Sequence, residues 1–314
     1  MKNKYNVLCI TPINHLKNTR KLLEKNNKFI YRPYINKIEL KKFLAKNNNI
    51  NALFCNPNKQ GFVLDREILE GSNIKCINTA STGTNHINLS DCKLLKIKVL
   101  SLKNDKSLIN NLPSTSELSF CLMISLLKKL IPSYNSVKHN KEWNYENFIG
   151  QELASLTIGI IGFGRLGRMM AKFCKNFGMK VLIYDKFKNS KVFKNVSLNY
   201  LAKKADVISL HVHLNDQTRH LIDKNFLKNC IRRPIIINTS RGEIVDENQI
   251  INFLKTNKIS GYGADVISQE LNDIKKSSII KNINKENILI TPHIGGMTIQ
   301  GQNRAYEWAA SKFI

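Results

Sequence analysis

Three stretches of this sequence place a chemically able side chain just beyond an apolar, β-branched run. Arg241 follows PIIINTS, Asp265 follows ISGYGA with Glu270 five residues on, and His293 follows NILITP, set between a proline and two glycines. Short runs rich in Ile and Val read as buried strands, and in an open α/β sheet ligands gather at the carboxyl ends of the strands. An imidazole carries a proton near neutral pH. A carboxylate within bonding reach favours its protonated form and fixes its orientation. A guanidinium holds a carboxylate in a planar fork and polarises a neighbouring carbonyl, which lysine does less well. Such a set can exchange a proton at an oxygen of a bound carboxylate ligand, as a hydride transfer at the adjoining carbon would require. Each residue alone is more often a surface ion-pair partner, a solvated loop acid or a packed loop histidine. Their joint placement on strand ends is what points to a site.

That chemistry also needs a hydride donor, and residues 157–167, TIGIIGFGRLG, supply a place for one. The pattern GxGxxG falls on Gly162, Gly164 and Gly167, directly after a strand and before the helix-like RLGRMMAKFCKNFG. The first glycine permits a tight turn, the second lets backbone approach a pyrophosphate, and the third lets helix and strand lie close, with the helix N-terminus facing the anion. The next strand, KVLIYD, ends in Asp185, 18 residues after Gly167, where a carboxylate accepts the ribose hydroxyls and repels a 2′-phosphate. The cofactor is therefore expected to be NAD rather than NADP, although the adjacent Lys186 is suited to a phosphate.

These residues need strands and covering helices to hold them, and the chain alternates the two almost throughout. NVLCI, INALFC, IKCINTA and KVLSL are strand candidates in the first hundred residues, with HLKNTRKLLEKNN, LDREILE and LSDCKLLK among the helices. KNDKSLINNLP then breaks the pattern, and Ser114 and Glu117 have the spacing of a capping box at the start of STSELSFCLMISLLKKL. A second series follows in TIGIIG, KVLIYD, DVISLHV, PIIINTS, ISGYGAD and NILITPH. The fold class is α/β, with two doubly wound parallel-sheet domains. The boundaries fall at 1–112, completed by the amphipathic C-terminal stretch 298–314, and at 113–297.

Composition narrows the function classes. A formal charge of +26 invites nucleic acid or an anionic membrane as partner, but most of the 49 basic residues are scattered lysines, with no basic run interleaved by aromatics. Neither partner is expected, and a positive field equally favours a small anionic substrate. The seven cysteines are widely spaced without a CxxC pair, so neither a disulfide framework nor a metal site is expected, and the setting reads as cytoplasmic. His211 and His213 are not taken as metal ligands. The N-terminus lacks an apolar stretch long enough for a signal peptide, and LSFCLMISLL is too short to span a bilayer.

The stretches STGTNHINL, STSEL, GIIGFGRLG, HVHLNDQTRHLI, INTSRGEIVDE, GADVISQE and TPHIGGMT, in this order over roughly residues 75–298, resemble the D-isomer-specific 2-hydroxyacid dehydrogenases, the family that includes D-3-phosphoglycerate dehydrogenase. The resemblance implies a Rossmann NAD-binding domain and a smaller, flavodoxin-like substrate domain onto which the last helix packs. It implies Arg241, Glu270 and His293 as catalytic residues. Arg165, Leu166, Asp185, Thr239, Ser240, Asp265, Gly295 and Gly296 would line the cofactor beside the three glycines. The Thr82, Gly83 and Thr84 amides, with Arg241, would bind the substrate carboxylate. A homodimer through the NAD-binding domain is implied, for which SFCLMISLLKKLIPSYNSVKHNKEW is the candidate surface. A non-catalytic NAD(H)-sensing co-regulator of the same fold is the alternative reading. His213 and Leu271 stand where the family usually has proline, Lys59 is the one cation in CNPNKQG that could meet a substrate phosphate, and no added regulatory domain is expected.

Overall fold

The computed structural model describes residues 5–57, 61–268, 270, 273–284 and 287–313, so Lys59 and Leu271 lie outside the described residues. The chain divides into two compact units, Met1–Leu112 with Met297–Ile314, and Pro113–Gly296.

In the first unit β1 (Asn6–Cys9), β2 (Lys28–Tyr31), β3 (Ala52–Cys55), β4 (Cys76–Thr79) and β5 (Lys98–Ser101) form a parallel sheet in the order β2-β1-β3-β4-β5. This is the flavodoxin-like strand order. Alternation along β1 explains the two cores. Leu8 faces Leu40, Leu44, Leu53 and Ile68, whereas Val7 and Cys9 face Leu23, Phe54 and the C-terminal helix Ile299–Ser311 through Ala305, Tyr306 and Ala309. Strand β2 is absent from the strand candidates read in the sequence. Its KFIY has no fully buried residue and runs along the sheet edge, so it lacks the continuous apolar signature of its neighbours.

In the second unit β6 (Thr157–Ile161), β7 (Lys180–Tyr184), β8 (Lys194–Asn195), β9 (Val207–Leu210), β10 (Ile235–Asn238), β11 (Gly261–Ala264) and β12 (Ile288–Ile290) form a parallel sheet in the order β12-β11-β10-β9-β6-β7-β8. The chain first builds outward from β6 to β7 and β8, then returns to pair β9 on the other side of β6. That reversal places the topological switch point between β6 and β9. Ile158, Ile160, Ile183, Val207 and Ile237 pack under the helix Ser114–Leu127, while Ile161, Ile208, Leu210, Ile236 and Tyr262 form the core of the opposite face.

The expected capping box at Ser114 does not form. Pro113 is already in a helical conformation and serves as the N-cap, and its carbonyl accepts from the Ser116 and Glu117 amides, so Ser114 lies inside the helix. The seven cysteines are free, and burial pushes the thiols of Cys9, Cys174 and Cys230 up to about 12, as suits small core hydrophobes. No helix among the described residues is long and apolar enough to cross a membrane.

Candidate active site

Register explains why three distant stretches meet. Asn238 of β10 lies opposite Ala264 of β11, and Ala264 opposite Ile290 of β12. The residues that leave those strands are therefore side by side, with 239–241 beside 265 and 265 beside 291.

The turn after β10 is folded by Asn238, which is fully buried. Its side-chain amide donates to the Arg241 carbonyl at 2.9 Å, and its oxygen accepts from the Ser240 amide at 3.0 Å. Gly242 then closes the turn against the exit of β11, where an added Cβ would lie 2.1 Å from both Ile267 C and Ser268 N, a clash no rotamer relieves. Arg241 is half-buried and donates from Nη1 to the Ser240 carbonyl at 2.5 Å.

Asp265 leaves β11 with its carboxylate turned into the protein, 2 % exposed. Oδ1 accepts from Thr291 Oγ1 at 2.6 Å and from the Ile294 amide at 2.8 Å, and Oδ2 accepts from the Gly295 amide at 2.7 Å. Burial raises this carboxyl above its ordinary range, and the three hydrogen bonds oppose the rise. The loop so gripped carries His293, whose φ of +55° is left-handed and whose amide donates to the Thr291 carbonyl across Pro292. A non-glycine residue held there is strained, and such strain persists only when its surroundings over-determine it.

His293 Nδ1 lies 3.2 Å and 3.1 Å from the two oxygens of Glu270. That hydrogen bond raises the imidazole above its ordinary value against the cost of burial. The charges of Glu270 and Asp265 add to the rise, and the nearby Arg241 guanidinium opposes it. With Nδ1 turned to the carboxylate, Nε2 is the atom that can exchange a proton with a ligand. Catalytic candidates from three strand exits thus occupy one locality of the second unit.

The glycine-rich turn has the features a dinucleotide needs. Gly162 has φ +95°, and a Cβ on Gly167 would lie 2.0 Å from the Gly162 carbonyl, so strand and helix touch there. A Cβ on Gly164 would meet nothing within 4 Å, which leaves open space at the N-terminus of the helix Arg165–Asn176, where a pyrophosphate sits in this fold. Burial holds the half-buried Arg165 guanidinium below its ordinary value. Asp185 accepts from the Phe163 amide at 2.6 Å and from the Phe187 and Lys188 amides at 2.8 and 3.0 Å, tying the strand-end acid to the glycine turn.

Other expected cofactor residues are engaged internally. Thr239 pairs with Ser119 at 2.7 Å, Ser240 donates to the Leu210 carbonyl at 2.8 Å, and the Gly295 carbonyl accepts from Thr115. Space is open beside Gly296. The Leu166 carbonyl accepts from Ser116 at 3.1 Å. Ser116, within STSEL, and Ser119, directly after it, are thus supporting residues that the sequence did not reveal as such, because their partners lie in other segments. His211 has its Nε2 2.9 Å from Ser209 Oγ, and burial drives its pKa down to about 4. His213 is exposed, and its carbonyl accepts from Thr218 at 2.6 Å. In the first unit Thr82, Gly83 and Thr84 form the turn after β4, where the Gly83 amide is engaged by Ser81 Oγ at 3.0 Å. Among the described residues, no three His, Cys, Asp or Glu side chains cluster as a metal site.

A nucleotide-binding parallel sheet with an imidazole, a carboxylate and a guanidinium at its strand exits defines a nicotinamide-dependent oxidoreductase. Residues 7–108 match the catalytic domain, and residues 120–295 the NAD-binding domain, of the D-isomer specific 2-hydroxyacid dehydrogenases. The chain is 31% identical to a hydroxypyruvate reductase of Thermotoga maritima, over 91% of its own length and 90% of that protein. It is 35% identical to a glycerate dehydrogenase of Methylorubrum extorquens over 70% of its length and 69% of that protein. A D-lactate dehydrogenase of Aquifex aeolicus, solved with NAD and lactic acid, superposes with a TM-score of 0.82 at 27% identity, covering 98% of this chain and 94% of that one. The chain belongs to the family of D-isomer-specific 2-hydroxyacid dehydrogenases, NAD-dependent enzymes.

Proposed function

We propose that this enzyme interconverts a small, unphosphorylated D-2-hydroxy acid and its 2-oxo acid, with His293 as the acid/base, Glu270 as its carboxylate partner and Arg241 as the substrate anchor. NAD(H) bound at the glycine turn supplies or takes up the hydride. In reduction, protonated His293 donates from Nε2 to the substrate oxygen, and in oxidation the neutral ring accepts that proton. Glu270 keeps the ring oriented and favours its charged form. Arg241 holds the substrate carboxylate and polarises the carbonyl beside it. The observation that carries the reading is the Nδ1 contact of His293 with both Glu270 oxygens, 3.1 and 3.2 Å, one strand exit away from Arg241.

Relatives named hydroxypyruvate reductase, glyoxylate reductase and glycerate dehydrogenase support a short substrate. NADH oxidation should be measured with glyoxylate, hydroxypyruvate, pyruvate and 3-phosphohydroxypyruvate. Turnover is expected with the first two. Tight NADH binding without turnover on any of them would instead indicate a nucleotide sensor.

We also propose a homodimer through the second unit. Leu130, Tyr134, Trp143, Tyr145 and Ile149 leave an apolar surface in water, with Trp143 93% exposed. Sedimentation should report a dimer, and Trp143→Glu with Tyr145→Glu a monomer.

A further inference from the structure

We infer that Glu247 is a positioning residue that keeps Glu270 on His293 by holding both ends of the segment 268–277. The inference rests on the acid/base assignment above. Glu247 stands in the first turn of the helix Glu247–Lys255, where an acidic side chain commonly faces water and favours the helix dipole. Here the cap is already supplied by Asp246, which accepts from the Asn248 and Gln249 amides at 3.1 and 3.2 Å. Glu247 turns inward instead and is 7% exposed. One oxygen accepts from the Ser268 amide at 2.8 Å, the other from Ser277 Oγ at 2.9 Å.

Those two contacts bracket Glu270 in the chain. Ser268 is the last residue pressed against Gly242, and Ser277 is 2% exposed, caps the helix Ser278–Lys281 and accepts the Ile279 amide at 3.2 Å. One carboxylate therefore joins the exit of β11, the return of the segment and the helix that follows the Arg241 turn. Among the described residues no cation pairs with Glu247. The groups facing it are the Ser268 amide, the Ser277 hydroxyl and the Tyr262 phenol. Those facing His293 are Glu270, Asp265 and Arg241. If Glu247 is removed, both ends of the segment lose their common tie, and Glu270, whose amide still bonds the Ile267 carbonyl at 3.3 Å, loses the support that holds its side chain on the imidazole.

The test is an NMR titration of the His293 ring in wild type, Glu270→Gln, Glu247→Ala, Glu247→Gln and the double variant Glu247→Ala/Glu270→Gln. It needs no turnover. Wild-type His293 is expected to titrate above an ordinary histidine, and Glu270→Gln to lower the midpoint. Glu247→Ala should lower it by the same amount, with no further shift in the double variant, because both act through one contact. Glu247→Gln keeps an acceptor for Ser268 and a donor for Ser277 Oγ, and should stay near wild type. In steady state, Glu247→Ala should lose the same fold in kcat as Glu270→Gln, with KM for NADH unchanged. A wild-type midpoint in folded Glu247→Ala, or losses that multiply in the double variant, overturns the inference. Should Glu247→Ala fail to fold, Ser277→Ala is read instead, and an unshifted midpoint there has the same force. If Glu270→Gln itself leaves the midpoint unmoved, the acid/base assignment fails and this inference with it.

Discussion

His293 and Glu270 occupy neighbouring strand exits, yet the backbone that carries each is held differently. The histidine segment is gripped from within: Asp265 takes the Thr291 hydroxyl and the Ile294 and Gly295 amides, so the ring stands on a loop bonded on both sides of it. The segment bearing Glu270 is held by Glu247 at Ser268 and Ser277, on either side of the carboxylate, and the Glu270 amide donates to the Ile267 carbonyl at 3.3 Å. The imidazole proposed as the proton carrier thus has three short ties beside it, while among the described residues its partner has one longer backbone bond and two ties further off. A ring that must meet the substrate oxygen tolerates little displacement. A carboxylate that only biases and steers that ring can be held more loosely.

If that contrast is right, damage to the histidine side should be the most severe. His293→Ala should lower kcat/KM by about 10²–10⁴-fold, the range of general acid–base catalysis, with NADH affinity retained. Asp265→Ala should lower kcat by a similar order and also destabilise the fold. It leaves two amides and a hydroxyl without their acceptor at a buried site, a loss of about 2–4 kcal/mol by denaturant titration. An Asp265→Ala protein with wild-type stability and turnover would show that the His293 loop needs no such grip.

The partner's contribution is read in pH. His293 is raised by its hydrogen bond to Glu270, so its charged form persists above the ordinary value of about 6.5. With His293 as the proposed acid, reduction needs that form. Its rate is expected to hold at low pH and to fall as pH rises through the folded pKa. Oxidation, which needs the neutral ring, should rise over the same interval. Glu270→Gln should move both limbs to lower pH. The sign for stability is the same: the raised pKa contributes stability that is fully present below the unfolded value and is lost as pH rises through the folded one. With the His293 side chain 46% exposed, that contribution is small. Profiles that coincide for wild type and Glu270→Gln would remove Glu270 from its role.

The same contrast separates what could be read from sequence. Asp265, Glu270 and His293 were legible because each follows an apolar strand, and parallel register sets the exits of adjacent strands side by side. The glycine turn was legible because strand, glycines and helix occur in immediate succession. Glu247 was not, since an acid after VD at a helix start has an ordinary explanation in the helix dipole, and its partners lie 21 and 30 residues away. Strand β2 escaped because an edge strand needs no continuous apolar run. The capping box at Ser114 is absent because Pro113, which closes an irregular stretch in the sequence, itself takes the helical conformation and starts the helix one residue earlier.

The smallest effect is expected at the turn after β10, where Ser119 and Thr239 share a buried 2.7 Å contact. The two hydroxyls are not equivalent. Ser119 Oγ also bonds the Thr115 carbonyl at 2.8 Å, so Thr239→Val leaves it with a partner, whereas Ser119→Ala leaves the Thr239 hydroxyl, 8% exposed, without this one. Ser119→Ala should therefore cost more, about 1–2 kcal/mol, and Thr239→Val less. The double variant should be less destabilised than the sum, because replacing both members removes the polar group that was stranded. Strict additivity in thermal melts would mean that the contact contributes nothing, and that the helix Ser114–Leu127 is held to the turn after β10 by apolar packing alone.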